Sequence, residues 1–127
     1  MFQDLLSLFF PEHCAACQTP LCKGEQTVCA PCRFKMPLTD FHTMQESPVA
    51  RIFRGRAPVD AAASMLHFNK GEKTQKMIHR LKYRNCPEIG IFLGEWYGYI
   101  LNHWQIYSTI DWIVPVPLHP DKESVRR

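Results

Sequence analysis

The chain has 127 residues, of which 46% are hydrophobic and 21% charged, with a formal net charge of +3. This balance suits one folded domain, or a small module joined to an incomplete second one, and excludes a disordered chain. A net charge of +3 is too small to imply a nucleic-acid partner by itself, but its distribution is uneven. Residues 1–46 carry three Lys/Arg against five Asp/Glu, whereas residues 51–84 carry nine against two.

The chain opens with MFQDLLSLFFPEHC, which has no basic n-region and no small-residue cleavage site, and carries Asp4 where an export signal would be positive. No apolar run is long enough to cross a membrane. A cytoplasmic location is therefore expected, where thiols stay reduced. The short apolar segment at 2–10, ended by Pro11, is expected to dock on the cysteine-rich module or on the next domain.

Residues 14–32, CAACQTPLCKGEQTVCAPC, contain five cysteines in nineteen positions. Four form two C-x-x-C pairs, Cys14/Cys17 and Cys29/Cys32, with eleven residues between them. A disulfide staple fits poorly with a reducing compartment. A redox dithiol needs only one such pair and usually lies beside a βαβ pattern. Two pairs offer four thiolates to one tetrahedral zinc ion at about 2.3 Å each, and a closed four-sulfur site is structural. Pro20 and Gly24 supply turns for the connecting loop. Cys22 could replace one of the four but reads more simply as a spare thiol. His13 could also substitute, although a solvent-facing neighbour of the site is the simpler reading. Cys86, beside Pro87, reads as an ordinary partly buried residue.

Residues 36–58, with three prolines and no sustained periodicity, read as a linker. Within them Arg51, Arg54 and Arg56 crowd around Gly55, either a solvated turn or a contact for phosphate. VDAAASMLHF at 59–68 reads as a strand closed by Asn69-Lys70-Gly71, although its alanine run also suits a helix. From Glu72 the period changes. Thr74, Met77, Ile78 and Leu81 recur as one buried helix face. Lys73, Lys76, Arg80 and Arg84 form a separate basic stripe, either a solvated face or a surface for an anionic partner.

Pro87 suits the first turn of a second helix, in which Ile89, Phe92, Leu93, Trp96, Ile100 and Trp104 keep helical spacing. Gly90, Gly94 and Gly98 lie four apart, and interior glycines cost up to about 1 kcal/mol each, so another backbone is expected to pack closely there. Ile110 to Val114 reads as a strand, ended by Pro115-Val116-Pro117. A loop with His119, Asp121, Lys122, Glu123, Arg126 and Arg127 comes next. Strand, helix, helix, strand begins an α/β sheet without supplying its second half. The expectation is that the missing C-terminal half or a partner completes that sheet.

The four-cysteine module, the Leu81-Lys82-Tyr83 triplet on a basic helix, the E-I-G-x-x-L-G run from Glu88 to Gly94 and the Pro115–Pro120 PVPLHP segment together resemble the ComF family. That resemblance spans essentially the whole chain. It implies a zinc ribbon-like module at 1–46 and the N-terminal part of a type I phosphoribosyltransferase-like domain at 47–127. It also implies an accessory role in DNA uptake during competence, with single-stranded DNA and competence proteins as partners. The family's R-G-[FY]-N-Q segment would begin at Arg126 and Arg127, and its remainder and the later acidic phosphate loop do not occur here. The expectation is thus a truncated family member with a structural zinc on Cys14, Cys17, Cys29 and Cys32. No catalytic residue is assigned, and phosphate or nucleic-acid contacts fall to Lys73, Lys76, Arg80, Lys82, Arg84, Lys122, Arg126 and Arg127. The other readings are a fragment of a phosphoribosyltransferase, or a zinc-stabilised interaction module without activity.

Overall fold

The computed structural model describes residues 11–117 and 119. The apolar segment at 2–10 and the cations Lys122, Arg126 and Arg127 lie outside the described residues. Among the described residues five α-helices make up most of the regular structure: α1 (Ala30–Phe34), α2 (Pro48–Phe53), α3 (Lys73–Tyr83), α4 (Pro87–Asn102) and α5 (Gln105–Ser108). A single 3₁₀ turn spans Phe41–Thr43.

No sheet forms among the described residues, which overturns the expected α/β architecture. Only two isolated antiparallel bridges occur, His13 with Pro20 and Leu38 with Leu66. The segment expected as a strand at 59–68 makes just the second bridge. The Thr39 N–H donates to the Met65 carbonyl at 3.1 Å and the His67 N–H to that of Pro37 at 2.9 Å. Ile110 to Val114 has no strand partner among the described residues and is exposed. Both segments carry β-prone residues, but a strand persists only where a ladder and an apolar face are provided. Neither a ribbon-like module nor the first half of a phosphoribosyltransferase-like domain is therefore built here.

The described residues divide into two compact units, with the boundary inside α4 after Phe92. The first comprises 11–36 and 68–92. Here α3 follows its sequence pattern: Thr74 and Met77 are buried, and Ile78 and Leu81 are half-buried. Gly71, at φ +82°, turns the chain into this helix, and its N–H donates to Gln75 Oε1 at 2.6 Å. Asn85, at φ +50°, ends it, and Pro87 opens α4 where its missing N–H costs nothing. Met77 and Ile89 are fully buried, each contributing about 1.5–3 kcal/mol. A Cβ on Gly90 would come within 3.3 Å of Leu81 Cδ1, whereas Gly94 and Gly98 have nothing within 4 Å. Only one of the three aligned glycines serves close packing, and it meets a side chain rather than a backbone.

The second unit comprises 37–67 and 93–117 with 119. Its anchors are hydroxyls. The fully buried Ser47 accepts from the Ala50 N–H at 3.0 Å, capping α2, and its hydroxyl donates to the Ala62 carbonyl. Thr39 similarly donates to the carbonyl of Ser64. Ser47-Pro48 is a helix-start signal, an N-cap followed by proline at the first position, so the expected linker contains a helix. His42 packs edge-on against Trp104 at 5.8 Å between ring centroids and against Tyr97 at 6.2 Å.

Candidate metal centre

Each C-x-x-C pair is shaped by its own backbone turn. After Cys14, the Gln18 N–H donates back to the Cys14 carbonyl at 2.9 Å. Gln18 takes φ +66° to do so, and its side-chain amide donates to the same carbonyl at 3.1 Å. The second pair begins α1: Cys29 is its N-cap, Pro31 lies in its first turn and Cys32 sits inside it. The two turns are tied by the Ala15 N–H donating to the Thr27 carbonyl at 2.7 Å and the Cys29 N–H to Cys14 Sγ at 3.4 Å. Between them Thr27 has φ +59°, a conformation that β-branched residues rarely adopt. The loop is thus held taut against the first pair.

The result is one sulfur cluster. The ligand atoms of Cys14, Cys17, Cys29 and Cys32 all lie within 4.8 Å of one another. Cys17 Sγ and Cys29 Sγ are 3.7 Å apart. A zinc–sulfur distance of about 2.3 Å gives a tetrahedral edge of about 3.8 Å, so the donor set and its spacing fit a single tetrahedral metal ion. A disulfide would need about 2.05 Å, and all four cysteines are free thiols. Cys22 and His13 are exposed and Cys86 is half-buried, and all three are outside the cluster.

The thiols are unequal. Hydrogen bonding to the Thr19 hydroxyl, at 2.8 Å, and then to the Thr19 backbone lowers Cys17 to about 6. Burial pushes Cys32 up to about 12, and burial also raises Cys29. Metal uptake must therefore displace protons from the buried pair, and affinity falls as pH falls. Glu25 braces the loop from outside: its carboxylate accepts from the Ala30 N–H at 2.8 Å and the Cys22 N–H at 2.9 Å. These bonds, Ala30 first, hold its carboxyl below the usual glutamate value.

The basic stripe of α3 is divided. Lys73 Nζ donates to Cys32 Sγ at 3.5 Å, placing a cation beside a cluster that would hold net negative charge around a divalent ion. Arg80 Nη1 donates to the Ala15 carbonyl at 3.2 Å, so α3 is fastened to the first knuckle. Lys76, Lys82 and Arg84 are exposed. Arg54, in the other unit, pairs with Glu46. The supporting roles of Thr19, Glu25 and Lys73 have no signature in the sequence, because each depends on a contact that spacing does not encode.

Comparison with known protein families, with curated proteins and with solved structures returns no match to this chain. Among the described residues no helix is long and apolar enough to cross a membrane.

Proposed function

We propose that the cluster holds one structural zinc ion, and that the chain is a zinc-stabilised accessory protein of the ComF kind. In this reading it acts in the cytoplasm, in DNA uptake, where it holds single-stranded DNA alongside competence proteins. The observation that carries the zinc assignment is the convergence of four thiols at tetrahedral spacing. All four positions around the ion are filled by protein, which leaves none for a reacting water. The ion therefore stabilises the module and does no chemistry.

The DNA assignment draws on the resemblance of the Leu81–Tyr83, Glu88–Gly94 and Pro115–Pro120 motifs, and on the solvent-facing Lys76, Lys82 and Arg84. Phosphate contacts release counterions, so binding of this kind weakens steeply with salt and shows little sequence preference. Purified reduced protein should contain one zinc per chain. Fluorescence anisotropy with labelled oligo-dT should show binding at low salt that is lost as salt rises. Absence of zinc would sink the metal assignment, and absence of oligo-dT binding at low salt would sink the partner.

A further inference from the structure

Between the first knuckle and α3 lies a hollow of about 320 Å³. Its polar lining is Gln18 from the knuckle and Gln75, Lys76, His79, Arg80 and Arg84 from α3 and its C-terminal cap. No carboxylate lines it. Lys76, Arg80 and Arg84 stand four apart, so their side chains stack on successive turns of one helix face. Like charges at that spacing disfavour a helix by a few tenths of a kcal/mol per pair, and the carboxylates nearest in sequence, Glu72 and Glu88, are outside the lining of this hollow. Cations in the last turn complement a helix C-terminus, which suits Arg80 and Arg84. It does not explain Lys76 two turns earlier.

Lysine and arginine offer only donors, and a phosphate ester offers only acceptors to them. Arg80 spends one N–H on the Ala15 carbonyl and keeps the rest of its fork for a ligand. The hollow is larger than a bare phosphate needs and lies at the lower end of small-ligand pockets. That leaves room for an attached nucleoside beside the His79 ring.

We propose that this hollow is a nucleotide-phosphate site, with Lys76, Arg80 and Arg84 converging on the phosphate. The single-strand reading supplies one source of that group, and in that respect the proposal rests on it; a free mononucleotide is the other source. One wall of the hollow is the knuckle itself, so phosphate binding and metal binding are linked. Stripping the metal removes the site, and by reciprocity a bound phosphate raises the affinity for the metal.

The test uses the full zinc-loaded chain with two probes, oligo-dT carrying only internal phosphodiesters and thymidine 5′-monophosphate. The variants are Lys76→Gln with Arg84→Gln, and a control with Arg51→Gln and Arg56→Gln, which lie in the other unit. The first pair should lose on the order of tenfold in affinity. For oligo-dT its dependence of log affinity on log salt should flatten by at most about 0.7, because the cations share one phosphate. The control should bind as the parent does. Loss confined to oligo-dT identifies the strand as the source. Variant-sensitive binding of the mononucleotide alone keeps the hollow and removes the single-strand reading. Oligo-dT binding that the variant leaves intact overturns the hollow while the single-strand reading stands. No binding of either probe at low salt overturns both. Zinc content and circular dichroism verify folding; should the double variant lose its metal, Lys76→Gln alone, at an exposed side chain, decides in the same way.

Discussion

Residues 11–36 with 68–92 contain every apolar side chain that is buried among the described residues: Cys14, Ala15, Ala16, Val28, Cys29, Cys32, Met77 and Ile89. Residues 37–67 with 93–117 bury only Thr39 and Ser47, both through their hydroxyls. The first unit gathers its interior around sulfur, and three of those eight side chains are cluster cysteines. The second has no such cysteine cluster among its described residues and little interior, and it fixes an irregular chain by donating hydroxyls to carbonyls. A unit of this size rarely buries enough surface to stand on a hydrophobic core alone. A metal cluster is one remedy, and specific polar anchors are a weaker one.

The largest expected effect separates the two units outright. Cys14→Ser or Cys32→Ser should abolish zinc binding, while Cys22→Ser keeps one zinc per chain. Structural zinc contributes about 10–16 kcal/mol to small modules, so amide protection around Met77 and Ile89 should collapse in the first two variants. Protection at Ala50 should persist, and its equal loss would show that the units do not stand apart. Met77→Ala tests the apolar part of the same interior and should cost about 2–5 kcal/mol. Denaturant titration of the zinc-loaded protein reads it, and a cost under about 1 kcal/mol would mean that the metal alone organises α3.

Ser47→Ala probes the other unit. It removes the α2 cap and leaves the Ala62 carbonyl without its donor, at a cost of about 1–2 kcal/mol. Faster exchange at Ala50 with unchanged zinc content is the expected signature; zinc loss would contradict the division. The smallest effect belongs to Glu25→Gln, since this carboxylate is open to solvent. Its folded-state value lies below the ordinary 4.5, so its contribution is present above 4.5 and disappears as pH falls through the lowered value. Parent and variant should differ slightly but constantly in melting temperature from about pH 8 to 5.5, and converge below 4.5, with zinc content followed in parallel. A difference that grows on acidification would contradict the carboxylate's role.

The cysteine cluster was legible because metal ligands must recur at short fixed spacings, and Cys14/Cys17 and Cys29/Cys32 do. The buried face of α3 was legible for a similar reason, since Thr74 and Met77 obey a local period. The α/β expectation failed where structure depends on distant partners. The segment at 59–68 reads as a strand, yet the Ala62 and Ser64 carbonyls are taken by the Ser47 and Thr39 hydroxyls instead of by a ladder. Ser47-Pro48 is a local helix start that the surrounding prolines disguised as linker. A basic stripe also cannot say where each cation reaches. Lys73 and Arg80 lean onto the cysteine module, while Lys76 and Arg84 stay open.

The stretch approaching Pro115 and Pro117 has a consequence for how the protein associates. Trp112, Ile113, Val114 and Val116 are between 81% and 93% exposed, which ordinarily marks an adhesive segment. Val114 and Val116 each precede proline and are held to extended backbone, and alternate residues of such a run present their N–H groups to opposite edges. Pro115 and Pro117 share one edge and have no N–H to give, whereas Trp112, Val114 and Val116 keep the other edge complete. Strand pairing through this run is one-sided, so it can join two chains but has no second edge from which to propagate. At rising concentration sedimentation should plateau at a dimer, and thioflavin-binding fibres would contradict it; replacing both prolines with valine should open the closed edge to fibril growth.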